Sequence, residues 1–215
     1  MKHLPTEAIL DKMTTPEKAN LCDGEGSWHT HGVERLGIPG AMLTDGPHGL
    51  RKRTQINGEW TTVHATCMPT ASALAASWNR EVAALAANTI AKDAIAEGVA
   101  VVLGPGVNMK RSPLCGRNFE YFSEDPYFAG DFAAAYISAM QQNGVGSCIK
   151  HFAVNNQETR RFTVSADVAA RPLHETYLRA FEIAVQAATP EAIMESDNRI
   201  NGKHAAESRW RSTIC

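Results

Sequence analysis

Apolar and polar positions alternate along the chain in blocks of two kinds. Ile9, Leu10 and Met13 fall at helical spacing, and with Pro16 as an internal start signal they predict a helix from about Thr6 to Leu21. The short run Ala41-Met42-Leu43 then predicts a strand that ends in the turn Thr44-Asp45-Gly46-Pro47. An Ala-rich stretch from about Ser72 to Ala96, with Leu74, Leu85 and Ile90, predicts a closely packed helix. Val99 to Leu103 is a continuous apolar run stopped by Gly104-Pro105-Gly106, the pattern of a strand buried on both faces.

The second half repeats this order. Tyr127 to Gln142 reads as a helix stopped by Asn143-Gly144, and Cys148-Ile149 opens a strand that ends at Lys150-His151-Phe152. Arg171 to Ala188 is a further helix with Pro172 in its first turn, and Ala192 to Met194 is the last strand. Strands alternating with helices predict an α/β fold with a parallel sheet. Asp45, Asn108, Lys150, His151 and Asn198 all follow strand candidates, where α/β barrels carry their chemistry. That placement points to one active face.

Composition narrows the function. With 44% hydrophobic and 20% charged residues the 215-residue chain is that of a globular protein, and a net charge of −2 argues against a nucleic-acid partner. Arg51-Lys52-Arg53, beside a Gly-Pro turn, reads as a solvated loop. No apolar run approaches the roughly 20 residues of a membrane span, and no signal-peptide core precedes Asp11, so a cytoplasmic location without membrane contact is expected. The five cysteines are far apart and the eight histidines form no helical metal pair. Reduced thiols, no metal and no cofactor are therefore expected.

Four segments carry a resemblance. They are MLTDGPHGLR at 42–51, the stretch from GPGVN at 104–108 through CGRNFE at 115–120 to SEDP at 123–126, KHFAVNNQE at 150–158, and SDNRING at 196–202. Any one alone is weak, but together and in this order they resemble glycoside hydrolase family 3 in its β-glucosidase branch. NNQE at 155–158 fits that branch rather than the hexosaminidase-like one. The resemblance implies a TIM-type (β/α)8 barrel, of which residues 1–215 would be one partial domain, the N-terminal portion with about four βα units. A closed barrel needs eight.

The same resemblance implies retaining hydrolysis of terminal β-linked glucosyl residues and a β-glucoside as partner. It implies that Asp45 grips hydroxyls at the non-reducing end, while Arg117, Lys150, His151 and Arg161 hold the other ring oxygens. Such groups orient and distort the ring without breaking the bond. Read from the residues alone, alternatives stay open. Asp45 is a good turn former, Arg117 has Glu120 and Glu124 as ion-pair partners, and Arg160-Arg161 suits a solvated loop. Lys150 is harder to explain as structure, because a buried ammonium is costly unless paired.

The sequence also departs from the family. Its nucleophile is the Asp of an Asp-Trp pair, and alignment on Lys150-His151 puts that pair beyond Cys215; none occurs in the 215 residues. The acid/base belongs to a following domain. Asp197 stands where the family usually has Tyr, and the tail Trp210 to Cys215 loses the family pattern. The expectation is therefore a truncated chain that holds the sugar-binding half and no catalytic carboxylate. With two open sheet edges and exposed apolar surface, it is expected to be marginal, aggregation-prone, or associated with another copy or half through those edges. The readings weighed against it are a non-catalytic sugar-binding or inert remnant, and a Schiff-base lyase using Lys150.

Overall fold

The computed structural model describes residues 6–207. At its centre is a four-stranded parallel sheet: β1 (Leu43–Asp45), β2 (Val101–Leu103), β3 (Gly146–Phe152) and β4 (Ala192–Glu195), in that spatial order. Three helices link and cover the strands: α1 (Arg80–Ala96), α2 (Pro126–Gln142) and α3 (Arg179–Ala188). The fold is α/β with a parallel sheet, as the alternation predicts. Every strand is followed by a loop at the same end of the sheet, and these loops gather the polar residues.

Small side chains let the helices approach closely. On α1 the buried face is almost entirely alanine, Ala83, Ala86, Ala87, Ala91 and Ala94, with Ile90 among them. It packs with Tyr136 and Met140 of α2 over Val102. Leu85, which the helical pattern counts with the core, points to solvent instead. Gly130 of α2 meets α3 so closely that a Cβ there would lie 2.8 Å from Ile183 Cβ. Phe132 and Ile137 of α2 share a second core with Phe152 and Phe181.

Several expected helices divide where local chemistry says they should. The segment 6–21 breaks into Thr6–Leu10 and Thr15–Asn20, because Pro16 suits only a first turn and Thr14 forms a reciprocal cap with Glu17. The segment 72–96 breaks at Trp78, after which the Asn79 side chain accepts from Glu81 N–H and starts α1. Leu173–Tyr177 widens into a π turn ahead of α3, with Leu178 N–H reaching back to the Leu173 carbonyl.

Two corrections concern the segment around β1. Arg53–Ile56 and Glu59–Thr62 form an unforeseen hairpin, turned by Asn57 and Gly58, both at positive φ. The β1 edge is also not open. Leu43 N–H donates to the Trp28 carbonyl at 2.8 Å and Arg51 N–H to that of Asp45 at 2.9 Å, so a local segment covers it. At the other side of the sheet, β4 has only β3 as a strand neighbour among the described residues. No helix among the described residues is long and apolar enough to cross a membrane. The tail from Trp210 lies outside the described residues.

Candidate functional site

Lys150, near the end of β3, is the centre of the site. It is 2% exposed, and its Nζ lies 3.5 Å from Asp45 Oδ1 and 3.4 Å from Glu120 Oε2. Asp45 is the last residue of β1, and Glu120 closes a short 3-10 turn, Asn118–Glu120, that follows Arg117. Arg117 Nε donates to Glu120 Oε1, and Arg51 pairs with the other face of Asp45. The loop after β2 brings this turn to β3 through Gly106, which bridges both Tyr121 and Lys150. Only glycine fits there, since a Cβ would lie 2.8 Å from the Glu120 carbonyl oxygen.

These residues line a cavity of about 400 Å³ to which Asp45, Arg51, Arg117, Phe119, Glu120 and Lys150 contribute. His48 is also in its wall, against the Phe119 ring, and neither of its buried ring nitrogens has a hydrogen-bond partner. Burial lowers the His48 pKa, with Lys150 adding to the effect and Glu120 opposing it. For Asp45, burial pushes the carboxyl up, but Lys150 and Arg51 outweigh it and hold the group below its ordinary range. Arg117 is likewise disfavoured by burial and then held charged by Glu120.

His151 sits beside Arg117, both ring nitrogens engaged. Arg117 Nη2 is 2.8 Å from Nε2 and the Tyr121 hydroxyl 3.1 Å from Nδ1. Burial, Arg117, Lys150 and Arg161 push its pKa down to about 2, so the ring is neutral. Arg161 is close enough to His151 to act on its charge but does not line the cavity. Its Nη1 is 2.9 Å from Glu158 Oε2, and its Nε is 3.0 Å from Asp197 Oδ2, an ion-pair contact not aligned as a hydrogen bond. The charge of Asp197 is thus met by a guanidinium. The parallel pairing of Ser165–Ala166 with Arg199–Ile200 holds these two loops together.

Of the five residues singled out from the sequence, Asp45, Arg117 and Lys150 line the cavity, His151 adjoins Arg117, and Arg161 is outside the lining, paired with Glu158 and Asp197. Asn198 is buried and donates to the Ala153 and Arg199 carbonyls, a tie between loops rather than a site group. The basic run at 51–53 is not simply solvated: Arg51 caps Asp45, Lys52 pairs with Glu97, and Arg53 lies over Trp60. Glu120 and Tyr121 are site residues the sequence reading missed. A buried lysine needs a carboxylate, and Glu120 was within reach as the partner already suspected for Arg117.

Comparison with known proteins gives the family. Residues 25–213 match the Glycosyl hydrolase family 3 N terminal domain. The chain belongs to glycoside hydrolase family 3. Among family relatives, it is 51% identical over 208 residues to thermostable beta-glucosidase B of Acetivibrio thermocellus, covering 95% of this chain and 28% of that protein. It is 50% identical over 212 residues to an exo-alpha-(1->6)-L-arabinopyranosidase of Bifidobacterium breve, covering 97% of this chain and 28% of that one. Its fold matches beta-glucosidase 3B of Thermotoga neapolitana, solved in complex with glucose, at a TM-score of 0.89 and 40% identity, covering 95% and 31% of the two chains. The chain therefore spans under a third of the length of these family members.

Proposed function

We propose that residues 1–215 form part of one (β/α)8-type barrel domain, its N-terminal portion with about four βα units, and supply a sugar-gripping wall of a retaining β-glucosidase-type hydrolase. Asp45 would bind hydroxyls at the non-reducing end of the ring, with Arg117, Lys150, His151 and Arg161 on the remaining oxygens. A single observation carries this reading: a buried ammonium, two carboxylates and a guanidinium converge on one cavity at the loop ends of parallel strands. A sugar ring, rich in hydroxyls that both donate and accept, matches such a mixed set. The ionic groups bind and orient. Bond cleavage in a retaining enzyme needs two carboxyl groups about 5 Å apart with the sugar between them, and no Asp-Trp pair supplies the nucleophile here.

A second reading takes the chain by itself: the groups that line the cavity bind and orient a sugar without turnover. A Schiff-base role for Lys150 is less well supported, because its Nζ lies beside the carboxylates of Asp45 and Glu120, whereas an activated lysine sits in an apolar pocket or beside another cation. Calorimetric titration with D-glucose and with L-arabinose, beside an aryl-glucoside hydrolysis assay, tests these readings. Binding without hydrolysis is expected, and hydrolysis by this chain would overturn the second reading. No binding of either sugar would overturn both. Self-association through the β4 edge is part of the proposal, and a dilution-resistant monomer in size-exclusion chromatography would remove it.

A further inference from the structure

The loop after β2 is laced to β3 by a ladder that changes character part-way. Ser147 Oγ–H donates to the Gly104 carbonyl at 2.7 Å, Lys150 N–H to that of Pro105 at 3.0 Å, and Val107 N–H to that of Lys150 at 2.9 Å. At the next step a side chain takes over from the main chain. Asn108 Oδ1 accepts His151 N–H at 2.8 Å, and Asn108 Nδ2 donates to the His151 carbonyl at 2.9 Å. The amide can sit only one way round, since a flip would set N–H against N–H and oxygen against oxygen. Asn108 is 3% exposed and is not part of the cavity wall.

The clamp acts on a ring with one permitted tautomer. The Arg117 guanidinium has donors only, so His151 Nε2, 2.8 Å away, must accept. The ring proton then sits on Nδ1, facing the Tyr121 hydroxyl, which Asn155 Nδ2 also approaches at 3.3 Å. A peptide unit displaced by even about 1 Å would break both ring contacts, a scale at which positioning effects reach about a hundredfold.

We propose that Asn108 is a positioning residue: by clamping the main chain of His151 it fixes the imidazole as the Nδ1–H tautomer against Arg117, and so aims that guanidinium into the cavity. The sugar this serves rests on the function proposed above; the clamp itself does not.

The test uses the full chain and three measurements: ¹⁵N–¹H correlation spectra of the His151 ring, D-glucose titration and thermal melting. Asn108→Ala is expected to replace the Nδ1–H pattern by a tautomer mixture and to weaken D-glucose binding about tenfold or more. Ser147→Ala removes a ladder bond from the same loop, and should lower the melting temperature with the ring pattern intact. Asn108→Asp places a buried carboxyl whose pKa burial raises. Protonated, it again offers one donor and one acceptor, so pattern and affinity should return as pH falls through that pKa while the wild-type ring stays unchanged.

A wild-type ring pattern in Asn108→Ala overturns the proposal, as does an equal disturbance by Ser147→Ala. If the alanine variant does not fold, failure of Asn108→Asp to recover at low pH overturns it too. Failure of the wild type to bind D-glucose defeats the sugar reading alone, because the ring pattern is read without ligand.

Discussion

Two ion-paired groups, both close enough to act on the charge of His151, differ in burial. At the inner one, Lys150 and Glu120 side chains are 2% and 5% exposed; at the outer one, Arg161 and Asp197 are 33% and 46% exposed. Each centres on a cation between two carboxylates, Lys150 with Asp45 and Glu120, Arg161 with Glu158 and Asp197. Water can replace a lost partner at the outer group far more readily than it can at Lys150 and Glu120. Similar contact lists therefore carry unequal energies: a buried charge stripped of its partner costs about 3–5 kcal/mol, an exposed pair about 0–1 kcal/mol. The inner group is where fold and binding are inseparable.

The sharpest way to break this contrast is Lys150→Met. It fills the space of the lysine stem but leaves Glu120 buried with Arg117 as its remaining partner. A loss of about 3–5 kcal/mol in urea unfolding is expected, together with loss of D-glucose binding. A variant as stable as the wild type would show that the inner charges are not mutually required. Glu120→Gln should cost less, about 1–3 kcal/mol, since a neutral amide still meets Lys150 and cannot satisfy Arg117 as a carboxylate does.

The inner group also sets the response to acid. His151 has its pKa depressed to about 2, so between that value and about 6.5 the unfolded chain binds a proton that the folded one refuses. Stability then falls as pH falls through this window, by up to about 1.4 kcal/mol per pH unit for one proton. Asp45, held below its ordinary range, adds stability that is lost in the same direction at lower pH. In His151→Gln the slope between pH 6 and 4 should flatten, as followed by melting temperature against pH. An unchanged slope would place the acid sensitivity elsewhere.

The two groups differed in how far the sequence exposed them. The inner one was legible because its members lie at strand ends: Asp45, Lys150 and His151 follow short apolar runs. Arg117 came from the family resemblance, and Glu120 was missed because an i,i+3 pair on a short turn looks like surface chemistry until a buried lysine is set against it. The α/β order was readable from apolar runs, whereas the break at Trp78 and the π turn at Leu173 depend on local caps and packing that periodicity does not record. The hairpin at 53–62 was different. Its Asn57-Gly58 pair is a strong turn signal, in a stretch beyond the basic run 51–53 to which the sequence reading assigns no element. The covered β1 edge needed the path of Trp28, which no local pattern gives.

The smallest expected effect lies at the outer group, and it decides whether burial is the right variable. Asp197→Asn removes one of two carboxylates on Arg161 and keeps a side chain of the same shape. Glu158 still holds Nη1 at 2.9 Å, so the guanidinium stays in place. Stability should change by under about 1 kcal/mol. The exposed charges also feel added salt, because at about 1 M the screening length is roughly 3 Å, comparable to the contact itself. The small difference between Asp197→Asn and wild type should thus vanish in 1 M NaCl, while that of Lys150→Met persists. If salt erased both differences, solvent would reach Lys150 as freely as Arg161, and burial could not be what separates the two groups.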